Sequence, residues 1–456
     1  MEKVVSSNFL CLQIGKVIFL SLITRIIKSS LLKESILYGF TGVISKFAPL
    51  LVIPIYISTI GVEGFGVLDL YVTIGMAVFI ICEAQAVSGV MRSYYECKKA
   101  NTLKDLISSA IKIYLVTYAI LLILFFLLFL IPFKIIEIRF DYLLPIVLAI
   151  FPRQLFSLNT VILRMEHQAK QYVTLSLLSV LLTAMLGIIF IHLYESSALS
   201  VLYGIALSQF VLGIISSFYI QKLVSLSKPS NYLKEIISYG VPIAISSLAG
   251  WLLASSGRLV IADKSSDFDL GVYSLSLKVA MVFMVLLQAF RTAWDPYCMK
   301  KFGENNSHLM FAKSLNVYWA FGSLVIFLIY ILSPFLILLL GADERALNQS
   351  LILLILLGYL WQGAINIIAV GNAWARKTYV NSFGTIAGGG VSLCFSYLLV
   401  NELGVIAGGL GYLFGIIVSF YIIYYLAQKN QHIPYNNSIS ILFFLISMGI
   451  SFFVIY

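Results

Sequence analysis

Residues 121–131 of this chain read LLILFFLLFLI, a run without a single polar side chain. Apolar runs that approach the roughly 20 residues needed for a membrane-crossing helix recur along the whole length. Of the 456 residues, 61% are hydrophobic and 11% are charged, whereas soluble domains are about 45–50% apolar and about 25% charged. A membrane β-barrel would instead show short segments of alternating polarity. The sequence therefore predicts an all-α polytopic membrane protein.

The apolar runs between clusters of charged and turn residues predict twelve membrane spans joined by short loops. Most Lys and Arg side chains fall in alternate loops, which predicts that these loops and the N-terminus are cytoplasmic. We call the helix ends on that side the inner ends and the opposite ends the outer ends. The predicted spans are residues 35–60, 66–91, 106–131, 143–163, 172–192, 197–221, 236–262, 268–291, 315–341, 350–370, 380–401 and 404–428.

Two further segments are ambiguous. Residues 9–27 are apolar but contain Lys16 and Arg25, which favours an amphipathic helix on the inner leaflet over a span. Residues 438–456 lack charged side chains and are long enough to cross. They are a candidate thirteenth span.

An internal repeat divides the chain into two halves. LKESILYG at residues 32–39 returns as LKEIISYG at residues 233–240, with six of eight positions identical. Both copies begin on the inner side, so the prediction is two parallel six-helix bundles around a central cleft, an arrangement found among secondary transporters. The predicted parts are an N-terminal cytoplasmic or interfacial segment, two bundles separated by a cytoplasmic linker, and a C-terminal segment, over residues 1–34, 35–221, 222–235, 236–428 and 429–456.

Motifs at the start of each half resemble those of the Wzx-type polysaccharide (O-antigen) flippases, within the multidrug/oligosaccharidyl-lipid/polysaccharide exporter superfamily. The first set is Tyr38-Gly39, Pro54-Ile55-Tyr56 and GVEGFG at residues 61–66; the second is Tyr239-Gly240-Val241-Pro242, Arg258, Gly271-Val272-Tyr273 and Lys278. Relatives often carry an acid before the arginine, where this chain has Gly257. A partner for Arg258 must therefore come from elsewhere.

The resemblance implies a flippase, not an enzyme, that needs no cofactor. Its cargo would be undecaprenyl-pyrophosphate-linked oligosaccharide repeat units, moved across the bacterial inner membrane for O-antigen or capsule synthesis. The implied partners are this cargo, membrane lipid, and the polymerase and chain-length proteins of the same pathway. Nucleic acid is not expected, because the formal charge of +10 is explained by the basic inner loops.

Ionisable residues within the spans are costly and usually face a polar interior. The cations exceed the acids, so a cleft that they lined would be net positive and suit an anionic cargo. We predict substrate binding by Lys46, Arg153, Lys278 and Arg258, and gating or ion coupling by Asp69 and Glu83. Counting 1.5 Å per residue from the helix ends places Asp69 level with Arg258, and Lys46 near Glu83. Arg258 and Lys112 also lie close enough to helix ends to reach the headgroups.

Two rival functions remain open. A drug/cation antiporter of the same superfamily is disfavoured by the excess of cations. A membrane polymerase or glycosyltransferase usually presents its acids on a large outer loop, and the outer loops here are short. The chain has no Walker A motif and no HExxH motif, and its five cysteines are scattered, so neither ATP hydrolysis nor a metal centre is predicted.

Overall fold

The computed structural model describes residues 30–130, 139–224 and 232–455, and within these ranges the protein is helical. Two short 3₁₀ turns, Gln221–Leu223 and Glu344–Ala346, join helices. The α-helices are α1 (Ser30–Glu83), α2 (Ala86–Lys99), α3 (Leu103–Leu130), α4 (Phe140–Met165), α5 (Ala169–Leu193), α6 (Ala198–Ile220), α7 (Tyr232–Lys264), α8 (Asp267–Lys301), α9 (Ser307–Leu339), α10 (Gln349–Ile368), α11 (Val370–Trp374), α12 (Val380–Leu403), α13 (Val405–Asn430) and α14 (Asn437–Ile455).

Eleven helical stretches in the described part of the chain are long and apolar enough to cross a membrane. The first two predicted spans meet at Gly61, where two helices within the range of α1 are joined at a kink. Gly61 has φ 74° and ψ 175°, which kinks the helix, and glycine tolerates that positive φ because it has no Cβ. The prediction of an all-α polytopic membrane protein is confirmed.

The outer half of α3 contains most of the apolar run of residues 121–131. Its side chains Phe126, Phe129 and Leu130 are all highly exposed in the isolated chain. Exposed apolar surface of this extent is stable only in contact with lipid or another apolar surface. The helix therefore lies at the periphery of the molecule.

The two segments that were ambiguous in the sequence differ in outcome. Residues 9–27 lie outside the described part of the chain. The last segment forms α14, whose Phe443 stacks on Trp319 with ring centroids 4.6 Å apart. Trp361 Nε1 donates a hydrogen bond to Ser447 Oγ at 3.1 Å. This helix is packed on the second half, and its crossing of the membrane stays a prediction.

Glycines bring the two halves into close contact at both ends. Near the outer end, a methyl group on Gly66 of α1 would lie 2.4 Å from the backbone nitrogen of Gly271 in α8. Near the inner end, a methyl group on Gly89 of α2 would lie 2.9 Å from Cα of Ile236 in α7. The backbones meet at these points because no side chain separates them.

A capping box fixes the outer start of α8. Ser266 Oγ accepts a hydrogen bond from the Asp269 backbone nitrogen at 3.2 Å, and Asp269 Oδ2 accepts one from the Ser266 backbone nitrogen at 3.3 Å. These bonds satisfy two of the donors that a helix start leaves free. They set the position from which Lys278, three turns further on, extends.

Candidate functional site

Asp69 of α1 joins the two halves near the outer end. Its side chain is 7% exposed and contacts two cations of the second half. Lys278 Nζ on α8 lies 2.6 Å from Asp69 Oδ1, and Arg258 Nε on α7 lies 2.9 Å from Oδ2. The contact between Asp69 and Arg258 agrees with the depth arithmetic, which did not pair Asp69 with Lys278. Its long side chain reaches outward to the shared acid.

Two hydrogen bonds to Thr73, one turn further along α1, support this ion cluster. Arg258 Nη1 donates to Thr73 Oγ1 at 2.9 Å, and Trp251 Nε1 donates to the Thr73 carbonyl at 2.9 Å. Both donors belong to α7. The guanidinium of Arg258 is therefore held by the charge of Asp69 and the hydroxyl of Thr73. In this conformation Arg258 does not extend to the lipid headgroups, which was the alternative that the sequence allowed.

The packing around Gly257 explains why this chain has no acid before Arg258. A methyl group on Gly257 would lie 2.3 Å from Tyr273 Oη and 2.9 Å from Cα of Gly408. A carboxylate side chain does not fit in that space. Asp69 supplies the negative charge from the opposite half instead.

The second-half side of the cluster is lined by buried polar groups. Tyr412 Oη donates to Gln362 Oε1 at 2.8 Å, and the Tyr359 and Tyr412 rings meet edge to face with centroids 5.7 Å apart. One carboxylate, two cations and neutral tyrosines leave a net positive charge. Separation of the halves here would expose two cations to the cleft.

A second cluster surrounds Glu83 at the end of α1 and lies within the first half. The Glu83 side chain is 3% exposed, and Ser157 Oγ on α4 donates to its Oε1 at 2.8 Å. Arg153, one turn earlier on α4, interacts electrostatically with Glu83 and lies with its Cζ 4.4 Å from the centroid of the Phe79 ring. The described partners of Glu83 thus come from α4.

The remaining cations within the predicted spans are Lys46 and Lys112. Lys46 lies in α1, but its side chain is outside the described part of the structure, so its predicted pairing with Glu83 stays untested. Lys112 is half-buried in α3. Among the described residues, no group of three or more His, Cys, Asp or Glu side chains is placed to hold a metal ion.

A cavity of about 710 Å³ lies between α8 and α9 toward their inner ends. Its wall is mainly apolar and includes Leu287, Trp294, Met310 and Tyr318, with Lys313 as its charged side chain. A mainly apolar space with one cation suits an amphiphile that has a single anionic group.

Several site residues gave no signal in the sequence. Thr73, Trp251 and Ser157 are ordinary constituents of membrane helices, and only their positions in the fold bring them to Asp69 and Glu83. A charged residue inside a span is costly and therefore conspicuous, whereas its neutral hydrogen-bond partner is not. The spacing of charges thus located the acids and cations but not their neutral partners.

The long apolar helices, with charged clusters between and within two packed halves, define a polytopic membrane protein. The family of polysaccharide biosynthesis proteins matches residues 31–302, which is more than half of the chain. The protein belongs to this family. The model of the MatE family matches residues 242–398, in agreement with the superfamily indicated by the motifs.

Two relatives come from Haemophilus influenzae. The Lsg locus putative protein 1 is 21% identical over 58% of this chain and 65% of its own length. An uncharacterized membrane protein is 24% identical over 61% of this chain and 68% of its own length. The matched region therefore spans about two thirds of each relative.

Solved structures of multidrug resistance MATE family transporters of the MOP superfamily share the fold. An inward-facing structure superposes with a TM-score of 0.70 at 15% identity, over 84% of this chain and 94% of the other. An outward-facing structure gives a TM-score of 0.62 at 15% identity, over 87% and 95%. The arrangement of helices is MATE-like.

Proposed function

We propose that this protein is a flippase of the bacterial inner membrane that moves undecaprenyl-pyrophosphate-linked oligosaccharide repeat units outward for O-antigen or capsule synthesis. The observation that carries the proposal is the Asp69 cluster, in which one acid is shared by two cations from the opposite half. A transporter of organic cations would have little use for two cations that become unpaired when the cleft opens. An anionic pyrophosphate is attracted by them.

In the proposed cycle, cargo enters from the cytoplasmic side while the Asp69 cluster holds the outer side closed. Rocking of the halves then separates Asp69 from Arg258 and Lys278, as expected for alternating access in proteins built from two repeats. Cations along the path, including Lys46 and Arg153, bind the pyrophosphate in passing. Asp69 returns to its partners after release and resets the outer closure.

The cavity between α8 and α9 supports the same proposal. Its apolar wall offers a surface for the polyprenyl chain, and its Lys313 lies on the side predicted to be cytoplasmic, where the anionic headgroup would begin its passage. Membership of the polysaccharide biosynthesis family points to the same class of cargo.

The test is complementation of a bacterial strain from which the gene for this protein has been deleted. We expect Lys46→Ala, Arg153→Ala and Lys278→Ala each to reduce surface polysaccharide and to increase lipid-linked repeat units in the cytoplasmic leaflet. Lys46→Arg and Lys278→Arg should retain more export than the alanine variants, because a point charge is what the phosphate contacts. Lys429→Ala, an exposed lysine at the inner end of α13, is the matched control.

Two outcomes would replace the proposal. A deletion strain with normal surface polysaccharide but greater sensitivity to cationic drugs would identify a drug/cation antiporter. A strain that displays only single, unpolymerised repeat units on its surface would identify a polymerase. Full export by a variant in which Lys46, Arg153 and Lys278 are all replaced by alanine, at normal protein abundance, would remove these cations from the mechanism.

A further inference from the structure

One face of α10 carries three neutral polar side chains in a regular pattern. Tyr359, Gln362 and Asn366 follow one another at spacings of three and four residues, which places them on the same side of an α-helix. Each of the three is half-buried, whereas most apolar side chains of this helix are buried. We call these three residues the polar stripe. It extends over about 10 Å along α10, at 1.5 Å per residue.

The polar stripe faces the contact between the two halves. The Tyr359 side chain interacts electrostatically with Arg258 and Asp69, which meet across that contact. Gln362 and Asn366 lie one and two turns further toward the inner end of α10, on the same face. The stripe therefore begins beside the Asp69 cluster and runs inward along the second half.

The polar atoms of the stripe have unused hydrogen-bonding capacity. Tyr412 Oη donates to Gln362 Oε1 at 2.8 Å, which fixes the amide with its Nε2 donors turned away from Tyr412. Within the described ranges, no hydrogen bond is formed by Gln362 Nε2, the Asn366 side chain or the Tyr359 hydroxyl. Polar groups inside a protein rarely stay unpaired, because each missing hydrogen bond costs free energy. These donors and acceptors are therefore available to a ligand.

The chemistry of the stripe suits a neutral ligand that is rich in hydroxyl groups. The helix α10 contains no charged residue, so the stripe offers a cationic drug no counter-charge. Amide and phenol groups donate and accept hydrogen bonds, and sugar hydroxyls have the same dual character. An anionic pyrophosphate has stronger partners close by, in Arg258 and Lys278.

We propose that the polar stripe binds the sugar hydroxyls of the lipid-linked oligosaccharide while Arg258 and Lys278 attract its pyrophosphate. The inference rests on the proposed function and deepens it, because it assigns the two chemical parts of the cargo to two neighbouring sets of side chains. A site built to hydrogen-bond hydroxyl groups discriminates against ligands that lack them, since its own polar groups are then left unpaired. The protein should therefore prefer the carrier lipid with sugars to the bare carrier lipid.

The test compares the dissociation constants of two probes for purified full-length protein in detergent. One probe is undecaprenyl pyrophosphate carrying the repeat unit, extracted from the deletion strain, and the other is undecaprenyl pyrophosphate alone. We expect Asn366→Leu to weaken binding of the sugar-bearing probe by roughly threefold to tenfold, the equivalent of one hydrogen bond. Binding of the bare carrier should not change. Gln349→Leu, the same kind of substitution at the start of α10 and outside the stripe, is the matched control.

A second variant tests Gln362 without leaving a buried group unpaired. Gln362→Leu alone would leave the Tyr412 hydroxyl without its acceptor. Gln362→Met combined with Tyr412→Phe removes both partners of that hydrogen bond, which is nearly neutral for stability. This double variant should also weaken only the sugar-bearing probe, by at least as much as Asn366→Leu does.

The outcomes separate this inference from the proposed function. If the parent binds both probes equally, or if both variants keep the preference of the parent, the inference is wrong and the proposed function stands. An equal loss of affinity for both probes would indicate disturbed packing and would also overturn the inference. A parent protein that binds neither probe would overturn the proposed function together with the inference.

Discussion

Asp69 is the residue on which the outer closure depends most, because one carboxylate serves two cations. Removing one partner of a buried ion pair costs about 3–5 kcal/mol, since the other charge is left uncompensated. Asp69→Ala leaves two such charges, whereas Lys278→Ala leaves the pair of Asp69 and Arg258 intact. We expect Asp69→Ala to lower the unfolding temperature and polysaccharide export more than either Lys278→Ala or Arg258→Ala.

Thermal unfolding of the purified variants and surface polysaccharide in the deletion strain are the measurements. Asp263→Ala is the control, because Asp263 pairs with Lys264 at the exposed outer end of α7, with Nζ and Oδ2 3.3 Å apart. If Lys278→Ala proves as damaging as Asp69→Ala, Lys278 has a role beyond the ion pair.

The sequence predicted part of this cluster. Counting residues from the helix ends gives the depth of each Cα, and Asp69 and Arg258 have nearly equal depths. The same count misses Lys278, because a lysine side chain extends its ammonium several ångströms along the membrane normal. Depth arithmetic is therefore reliable for the backbone and incomplete for long side chains.

At the scale of helices, the crossing of α1 and α8 is made by Gly66 and Gly271. We expect Gly66→Ala to destabilise the protein by about 1–3 kcal/mol, the usual cost of overpacking, because the added methyl group meets backbone that cannot move aside. Gly390→Ala in α12 is the matched control, since a methyl group there meets nothing within 4 Å. The measurement is the free energy of unfolding of both variants by chemical denaturation. Equal stabilities of Gly66→Ala and Gly390→Ala would contradict a close crossing of α1 and α8.

The inner ends of α2 and α4 are joined by a salt bridge that should be sensitive to pH. Lys98 Nζ lies 2.7 Å from Glu166 Oε2, and its hydrogen bond holds the pKa of that carboxyl below the usual range. The ionised form is thus favoured in the folded protein. The stabilisation is present at neutral pH and is lost as the pH falls through the lowered pKa.

We expect Glu166→Gln to reduce stability at neutral pH by no more than about 1 kcal/mol, because Lys98 is substantially exposed. The difference from the parent protein should vanish at acidic pH. Thermal unfolding over a pH series is the measurement. A difference that persists below the pKa of Glu166 would show that the substitution disturbs packing instead of charge.

The helix break at Ala84 and Gln85 could not be predicted from the pattern of apolar residues in the sequence. Apolar periodicity predicted one span over residues 66–91, and neither residue carries the usual signal for a break. Their positive φ values occur where their carbonyl oxygens pack closely against Gly240, which lies far away in sequence. By contrast, Gly61 is a residue at which a kink is unsurprising.

For the whole molecule, the distribution of basic residues predicts the orientation. In a Cys394→Ser background, a cysteine at Lys99 should be shielded from a membrane-impermeant thiol reagent in intact cells. A cysteine at Glu195, in an exposed outer turn, should be labelled. The physical reason is the positive-inside rule, and the opposite labelling pattern would invert the orientation.

The link between Asp69 and its two cations also has a consequence for biosynthesis. Arg258 follows Asp69 by 258 − 69 = 189 residues, which takes about 10–40 s at about 5–20 residues per second. During that interval the first half must hold an acid within a membrane helix, which is costly, without its counter-charges. The first half made alone should therefore be degraded quickly, and translation of the second half should rescue it.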